Sequence, residues 1–115
     1  MNELVMYSRT TGCPFITVAK RVLAEYHLGY REIHIDKDSE ARARVLAWTG
    51  FLAVPTLVVA PPGGVLPIAE PSPLAKGASP RGINRGAMLT EPSKPELVAW
   101  LRQHGLIEAS GASAD

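Results

Sequence analysis

The chain has 115 residues, 46% hydrophobic and 20% charged, with 12 basic against 11 acidic side chains and a formal net charge of +1. That length holds one domain, and the balanced charge supplies no field that would draw in nucleic acid or an anionic membrane. The longest apolar run, Val54 to Val65, is interrupted by Pro55, Pro61 and Pro62 and cannot span a bilayer. The first residues carry an acid and no basic stretch, so they do not read as a signal peptide, and a cytoplasmic protein is expected. The single cysteine, Cys13, excludes an internal disulfide and a zinc site built from several thiolates within these residues.

In chain order, Glu3 to Tyr7 is short, apolar and rich in β-formers, and is predicted as a buried first strand. Ser8 to Gly12 is a loop. Pro14 to His27 has helical periodicity, with Phe15, Val18, Ala19, Val22, Leu23 and Tyr26 on one face and Gly29 as the stop signal. Tyr30 to Asp36 alternates as a second strand. Asp38 is placed to cap a second helix, Ser39 to Trp48, that closes at Thr49-Gly50. Val54 to Ala60, with four β-branched residues, predicts a third strand. Ser93 and Glu96 have capping-box spacing ahead of a last helix that runs to about His104.

Residues 61–92 are too rich in proline and glycine for a long helix or a central strand. Two short segments within them, Val65 to Ala69 and Ala87 to Thr90, are each candidates for a fourth strand. The expected organisation is one domain over 1–107 containing this insertion, followed by a flexible tail over 108–115. The element order is β-α-β-α-β-(β)-α. It predicts an α/β fold in which helices flank a small mixed sheet, with a parallel pair at its start.

A lone cysteine is ordinarily a small buried hydrophobe. Cys13, however, falls at the junction of the first strand and first helix, with Pro14 in the first helical position where its missing N–H costs nothing. Unpaired amides and the positive end of the helix dipole favour a thiolate at such a cap, and Arg9 and Lys20 add positive charge nearby. That environment makes a cysteine a nucleophile at physiological pH. Proline at position 55 is a second signal, because a strand tolerates it only as a cis residue, at an edge or at a bulge. A cis peptide beside the cysteine would leave the backbone of Val54 open to pair with a bound thiol peptide as an added strand. Arg81-Gly82-Ile83-Asn84-Arg85-Gly86 sets two guanidinium groups on a glycine frame suited to carboxylate or phosphate. The three histidines have no ligand spacing and no metal site is predicted.

Tyr7-Ser8-Arg9-Thr10-Thr11-Gly12-Cys13-Pro14-Phe15, the strand Glu32 to Asp36, and Thr49-Gly50-Phe51-Leu52-Ala53-Val54-Pro55 together resemble the glutaredoxins. The resemblance implies the thioredoxin-like fold, with Cys13 as attacking cysteine, Pro55 as the family's cis-proline and Val54 as backbone partner of the substrate. Arg9, Pro14 and Phe15 then flank the bound thiol, and Arg81 and Arg85 add substrate contacts from the insertion. The sequence departs from the family at Ile16, where a dithiol member has its resolving cysteine, so the implied cycle is monothiol. It departs also at Arg9 for a glutathione-binding lysine, at Leu52 for a basic residue, and at Glu91 to Lys94 for a Gly-Gly and acidic pair.

The implied activity is thiol–disulfide exchange on a disulfide-containing protein, by a monomer with no tightly bound cofactor. Glutathione or another low-molecular-weight thiol is the co-substrate. The alternatives are an iron–sulfur cluster bridged by Cys13 of two protomers, arsenate-reductase-like oxyanion chemistry held by Arg81 and Arg85, and a non-catalytic binding module.

Overall fold

A computed structural model describes residues 2–108. Seven elements follow one another: β1 (Glu3–Ser8), α1 (Pro14–Glu25), β2 (Arg31–His34), α2 (Ser39–Thr49), β3 (Thr56–Ala60), β4 (Met88–Thr90) and α3 (Lys94–Gln103). The strands form one mixed sheet in the order β2-β1-β3-β4, with β1 parallel to β2 and antiparallel to β3, and β3 antiparallel to β4. The expected α/β class with a four-stranded mixed sheet is therefore present. The tail expected over 108–115 lies, from residue 109 onward, outside the described residues.

The sheet is covered on both faces, and strand periodicity divides the core in two. Leu4 and Met6 of β1, Leu57 and Val59 of β3 and Leu89 of β4 face one layer, where Ala19, Val22 and Leu23 of α1 meet Leu97, Trp100 and Leu101 of α3. Val5 and Tyr7, Val58 and Ala60, and Met88 face the other, against Ala41 and Val45 of α2. Each fully buried large apolar side chain of this kind contributes roughly 1.5–3 kcal/mol, so the central strands β1 and β3 anchor everything attached to their ends.

Helix ends follow local chemistry. The Asp38 side chain accepts from the Ala41 amide at 3.0 Å, and Gly50 closes α2 at φ 79°. Ser93 and Glu96 complete a reciprocal capping box on α3. At the end of α1 the expectation fails: the helix stops at Glu25, and His27, at φ 53°, turns the chain rather than Gly29. The predicted apolar face holds at Ala19, Val22 and Leu23 and differs at its two ends. Ile16 is buried, whereas Phe15 is only half-buried and Tyr26 is exposed. Starting the helix at Pro14 aims Ile16 under the sheet on the α2 side.

Of the two candidate fourth strands, Met88–Thr90 takes the position beside β3. The segment around Val65 to Ala69 instead makes a single ladder-like contact, Ile68 N–H to the Val59 carbonyl at 2.8 Å. The proline- and glycine-rich insertion thus lies between β3 and β4. It has almost no secondary structure, yet it is tied down at many points. The Tyr7 hydroxyl donates to the Val65 carbonyl, and Arg31 donates to that of Gly64. Trp100 Nε1 donates to the Gly86 carbonyl at 2.8 Å.

The strongest tie is Arg85. This residue is only 5% exposed; its Nε donates to the Ser72 carbonyl at 2.7 Å and its Nη1 to the Trp48 carbonyl at 2.6 Å. No carboxylate pairs with it among the described residues. Burial pulls its pKa below the usual guanidinium value, but an arginine remains charged at physiological pH. The cation sits on the last turn of α2, where carbonyls and the negative end of the helix dipole balance it.

The expectation that Arg85 binds substrate is corrected here: its guanidinium is enclosed and already committed to backbone carbonyls. The oxyanion reading, which needed both arginines, loses one of its two clamps. Arg85→Ala leaves two carbonyls without their donor and opens a void, so denaturant unfolding should show a loss of about 2–4 kcal/mol. A change within about 0.5 kcal/mol, as for an exposed loop arginine, would contradict this role.

Candidate functional site

Cys13 is the N-cap of α1, with extended backbone angles (φ −156°, ψ 130°), and its side chain makes no capping hydrogen bond. Pro14 at the first helical position brings no N–H, and the first helical bond is Thr17 N–H to the Cys13 carbonyl at 3.0 Å. The amides of Phe15 and Ile16 therefore have no intrahelical acceptor and open toward the cap. Together with the helix dipole they favour negative charge at the sulfur's end of the helix.

The half-buried sulfur lies 3.7 Å from the Val54 carbonyl oxygen, to which the thiol donates weakly. The Val54–Pro55 peptide bond is cis, and the strand β3 begins immediately after it. This corner is held from below by Thr56, whose hydroxyl donates to the Ala53 carbonyl at 2.9 Å. On its other side the Glu91 amide donates to the Pro55 carbonyl at 2.8 Å. The Val54 N–H makes no hydrogen bond among the described residues. The Cys13 sulfur thus lies against the backbone of a residue whose N–H is unpaired among the described residues.

The remaining predicted residues fall at different distances from this pair. Pro14 is exposed at the helix start, and Phe15 is half-buried with the Arg81 guanidinium 4.7 Å above its ring centroid. Arg81 Nε also donates to Glu91 Oε1 at 3.2 Å. Arg81 is therefore joined to the site while Arg85 is not. Arg9 turns its Nη2 onto the Gly12 carbonyl at 3.0 Å, bracing the loop that delivers Cys13. It also lines a cleft of about 580 Å³ with Asp36, Lys37, Asp38, Arg42 and Leu52. Lys20, expected to add positive charge near the thiol, is engaged elsewhere: its Nζ lies 3.0 Å from Glu32. Burial raises the Glu32 pKa, but hydrogen bonds from Ser8 and Lys20 outweigh it and hold the carboxyl below its ordinary value.

Two residues were missed as site elements. Asp36 is predicted from the sequence as the last residue of the second strand. Its carboxylate instead accepts from the Thr10 hydroxyl and from the Thr10 amide at 3.2 Å, so it ties the end of β2 to the loop before Cys13. The strand ends at His34, two residues short of the prediction, which frees Asp36 to turn toward that loop. Glu91 is the second, a non-glycine residue at φ 47° whose carboxylate holds Arg81. No local spacing marks either one; only the parallel pairing of β1 with β2 and the docking of the insertion bring them in.

A family model described as glutaredoxin matches residues 4–61. None of the curated proteins matches the chain. Among solved structures, a buckwheat glutaredoxin–glutathione complex is 30% identical over 49% of this chain, with a TM-score of 0.41. That match spans 53%, about half, of the buckwheat chain.

The Thr10 contacts give the loop a pH signature. The Thr10 hydroxyl, chiefly, and the Thr10 amide hold the Asp36 carboxyl below the ordinary aspartate value, against a small opposing effect of burial. A depressed folded value means the contact is intact above the free value of about 3.9 and is lost as pH falls through the lower folded one. The Thr10 amide resonance should titrate with a midpoint below about 3.9, and Asp36→Ala should abolish the transition. A midpoint at or above the free value would contradict the assignment.

Proposed function

The chain belongs to the glutaredoxin family, and from that premise we propose that it is a monothiol thiol–disulfide oxidoreductase whose nucleophile is Cys13. The observation that carries this reading is the half-buried Cys13 thiol at a helix N-terminus, 3.7 Å from the carbonyl of Val54, whose own N–H is unpaired among the described residues. Position 16 is a buried isoleucine, and the 115 residues contain no second cysteine. The resolving thiol in this reading therefore comes from outside, as glutathione or another low-molecular-weight thiol.

In the proposed cycle the Cys13 thiolate attacks one sulfur of a mixed disulfide. The new Cys13–S–S–R bond forms as the old S–S bond breaks, and the released thiolate takes a proton from water. Loss of the Cys13 proton also removes its donation to Val54, so that carbonyl becomes free to accept from the incoming peptide. Its unpaired N–H donates in return, and the bound thiol lies in the groove as one residue of an added strand. An external thiolate then attacks the R sulfur, regenerates the Cys13 thiolate and leaves as a disulfide with R. The N-terminal end of α1, where the amides of Phe15 and Ile16 lack intrahelical acceptors, favours the charge the sulfur carries at the start and end of the cycle.

The test is steady-state reduction of a glutathionylated peptide by glutathione, followed through glutathione disulfide formation. The wild-type chain should turn over many equivalents, and Cys13→Ser should fall to the uncatalysed rate. A wild-type rate no faster than that of Cys13→Ser would contradict the proposal.

A further inference from the structure

The insertion places one cation over Phe15, two residues past Cys13, and holds it by three separate contacts. The Arg81 guanidinium lies at 4.7 Å from the ring centroid. Its Nε is taken by Glu91, and its backbone is laid alongside Thr90 by an isolated parallel bridge, with Gly82 N–H donating to the Thr90 carbonyl at 2.8 Å. Glu91 is itself fixed through its amide to the Pro55 carbonyl at 2.8 Å. A run of contacts therefore leads from Phe15 through Arg81, Glu91 and Pro55 to Val54, whose carbonyl accepts from Cys13.

The asymmetry within the ion pair is informative. The Glu91 side chain is 17% exposed and that of Arg81 is 60% exposed. The acid is the fixed anchor, and the guanidinium is the end presented to solvent. Its Nε is occupied, whereas Nη1 and Nη2 make no hydrogen bond among the described residues. These two nitrogens are the planar fork that receives a carboxylate in a bidentate manner. Stacking on the aromatic ring fixes the plane of that fork. Glu91 adopts a left-handed backbone conformation (φ 47°) that non-glycine residues rarely take. Holding the carboxylate at the root of Arg81 gives that conformation a use.

We propose that Arg81 is a specificity-determining residue that selects disulfides carrying a carboxylate near the reacting sulfur. The inference rests on the exchange reading of Cys13. Because Glu91 balances its charge, Arg81 acts through contact and not through long-range attraction. The preference should therefore depend on a carboxylate within hydrogen-bond reach, whether it belongs to a small thiol or to an acidic residue beside a protein cysteine.

The experiment measures second-order capture of Cys13 by the symmetrical disulfides of mercaptopropionate, mercaptoethanol and cysteamine. Each rate is normalised to that of an unstructured cysteine peptide. A second arm uses peptides bearing a mercaptoethanol mixed disulfide, with Glu or Gln next to the cysteine. The normalised preference for the carboxylate disulfide over the neutral one should be about five- to tenfold, the size of one charge-assisted contact at a partly exposed position. Arg81→Gln should reduce that ratio to about one. Arg81→Lys, which keeps the charge and loses the planar fork, should retain only part of it. A preference confined to the small disulfides identifies the low-molecular-weight thiol as the source of the carboxylate, and one confined to the Glu peptide identifies the protein substrate. The same ratio in wild type and Arg81→Gln, or a preference for the cationic disulfide, overturns the proposal. Failure of Cys13 to capture any of the disulfides overturns the exchange reading instead, and the specificity role with it.

Discussion

The site depends on one corner of backbone, Val54–Pro55, being held between the starts of two helices, α1 and α3, that pack on the same face of the sheet. β3 is a central strand with every residue buried, so the position of its first residue is set by both layers of the core. The N-terminus of α1 brings the Cys13 sulfur to the Val54 carbonyl, and the residue leading into α3 donates its amide to the Pro55 carbonyl. Each contact is weak by itself. They hold because α1 and α3 are packed on the same apolar layer and cannot move independently of β3. The chemistry then needs little more than a sulfur at a helix cap and a peptide group with an unfilled hydrogen-bonding edge.

Around that corner the molecule uses loops where regular structure would leave nothing to spare. The insertion between β3 and β4 has no long helix or strand, yet its carbonyls are gripped by Tyr7, Arg31, Arg85 and Trp100. Three of those anchors, Tyr7, Arg31 and Trp100, are side chains of the sheet and of α3, and Arg85 ties the insertion from within to the end of α2, so the order of the insertion is borrowed from the elements it lies on. Two arginines four residues apart consequently have opposite fates. Arg85 is enclosed and stabilises the end of α2, while Arg81 is left exposed at the groove.

Much of this was legible in the sequence because it rests on local rules. The Pro14 start of α1, the Asp38 cap, the Gly50 stop and the Ser93–Glu96 box are short-range chemistry, and each appears where its residues predict. The mixed sheet follows from the order and apolarity of its strands. The errors have a common physical origin in contacts distant along the chain. Phe15 and Ile16 exchange burial because the tilt of α1 on the sheet decides which neighbour faces inward. Gly29 offered a stop signal, but the helix ends earlier, at Glu25, and His27 turns the chain. The choice between Val65 to Ala69 and Ala87 to Thr90 for the edge strand was undecidable from composition, since both are short and apolar. Asp36, Glu91 and the separation of Arg81 from Arg85 depend on loops meeting across the fold, which no spacing rule records.

The central claim is that the peptide group of Val54 and the sulfur of Cys13 act together on one bound thiol. Amide hydrogen exchange at Val54 tests it most directly, comparing the free protein with the protein carrying glutathione as a mixed disulfide on Cys13. If the tripeptide pairs as an added strand, the Val54 amide should become markedly protected in the adduct while amides of α2 far from the groove stay unchanged. An adduct that forms and leaves Val54 exchange unaltered would show that the sulfur reacts without that peptide group, and would contradict the account.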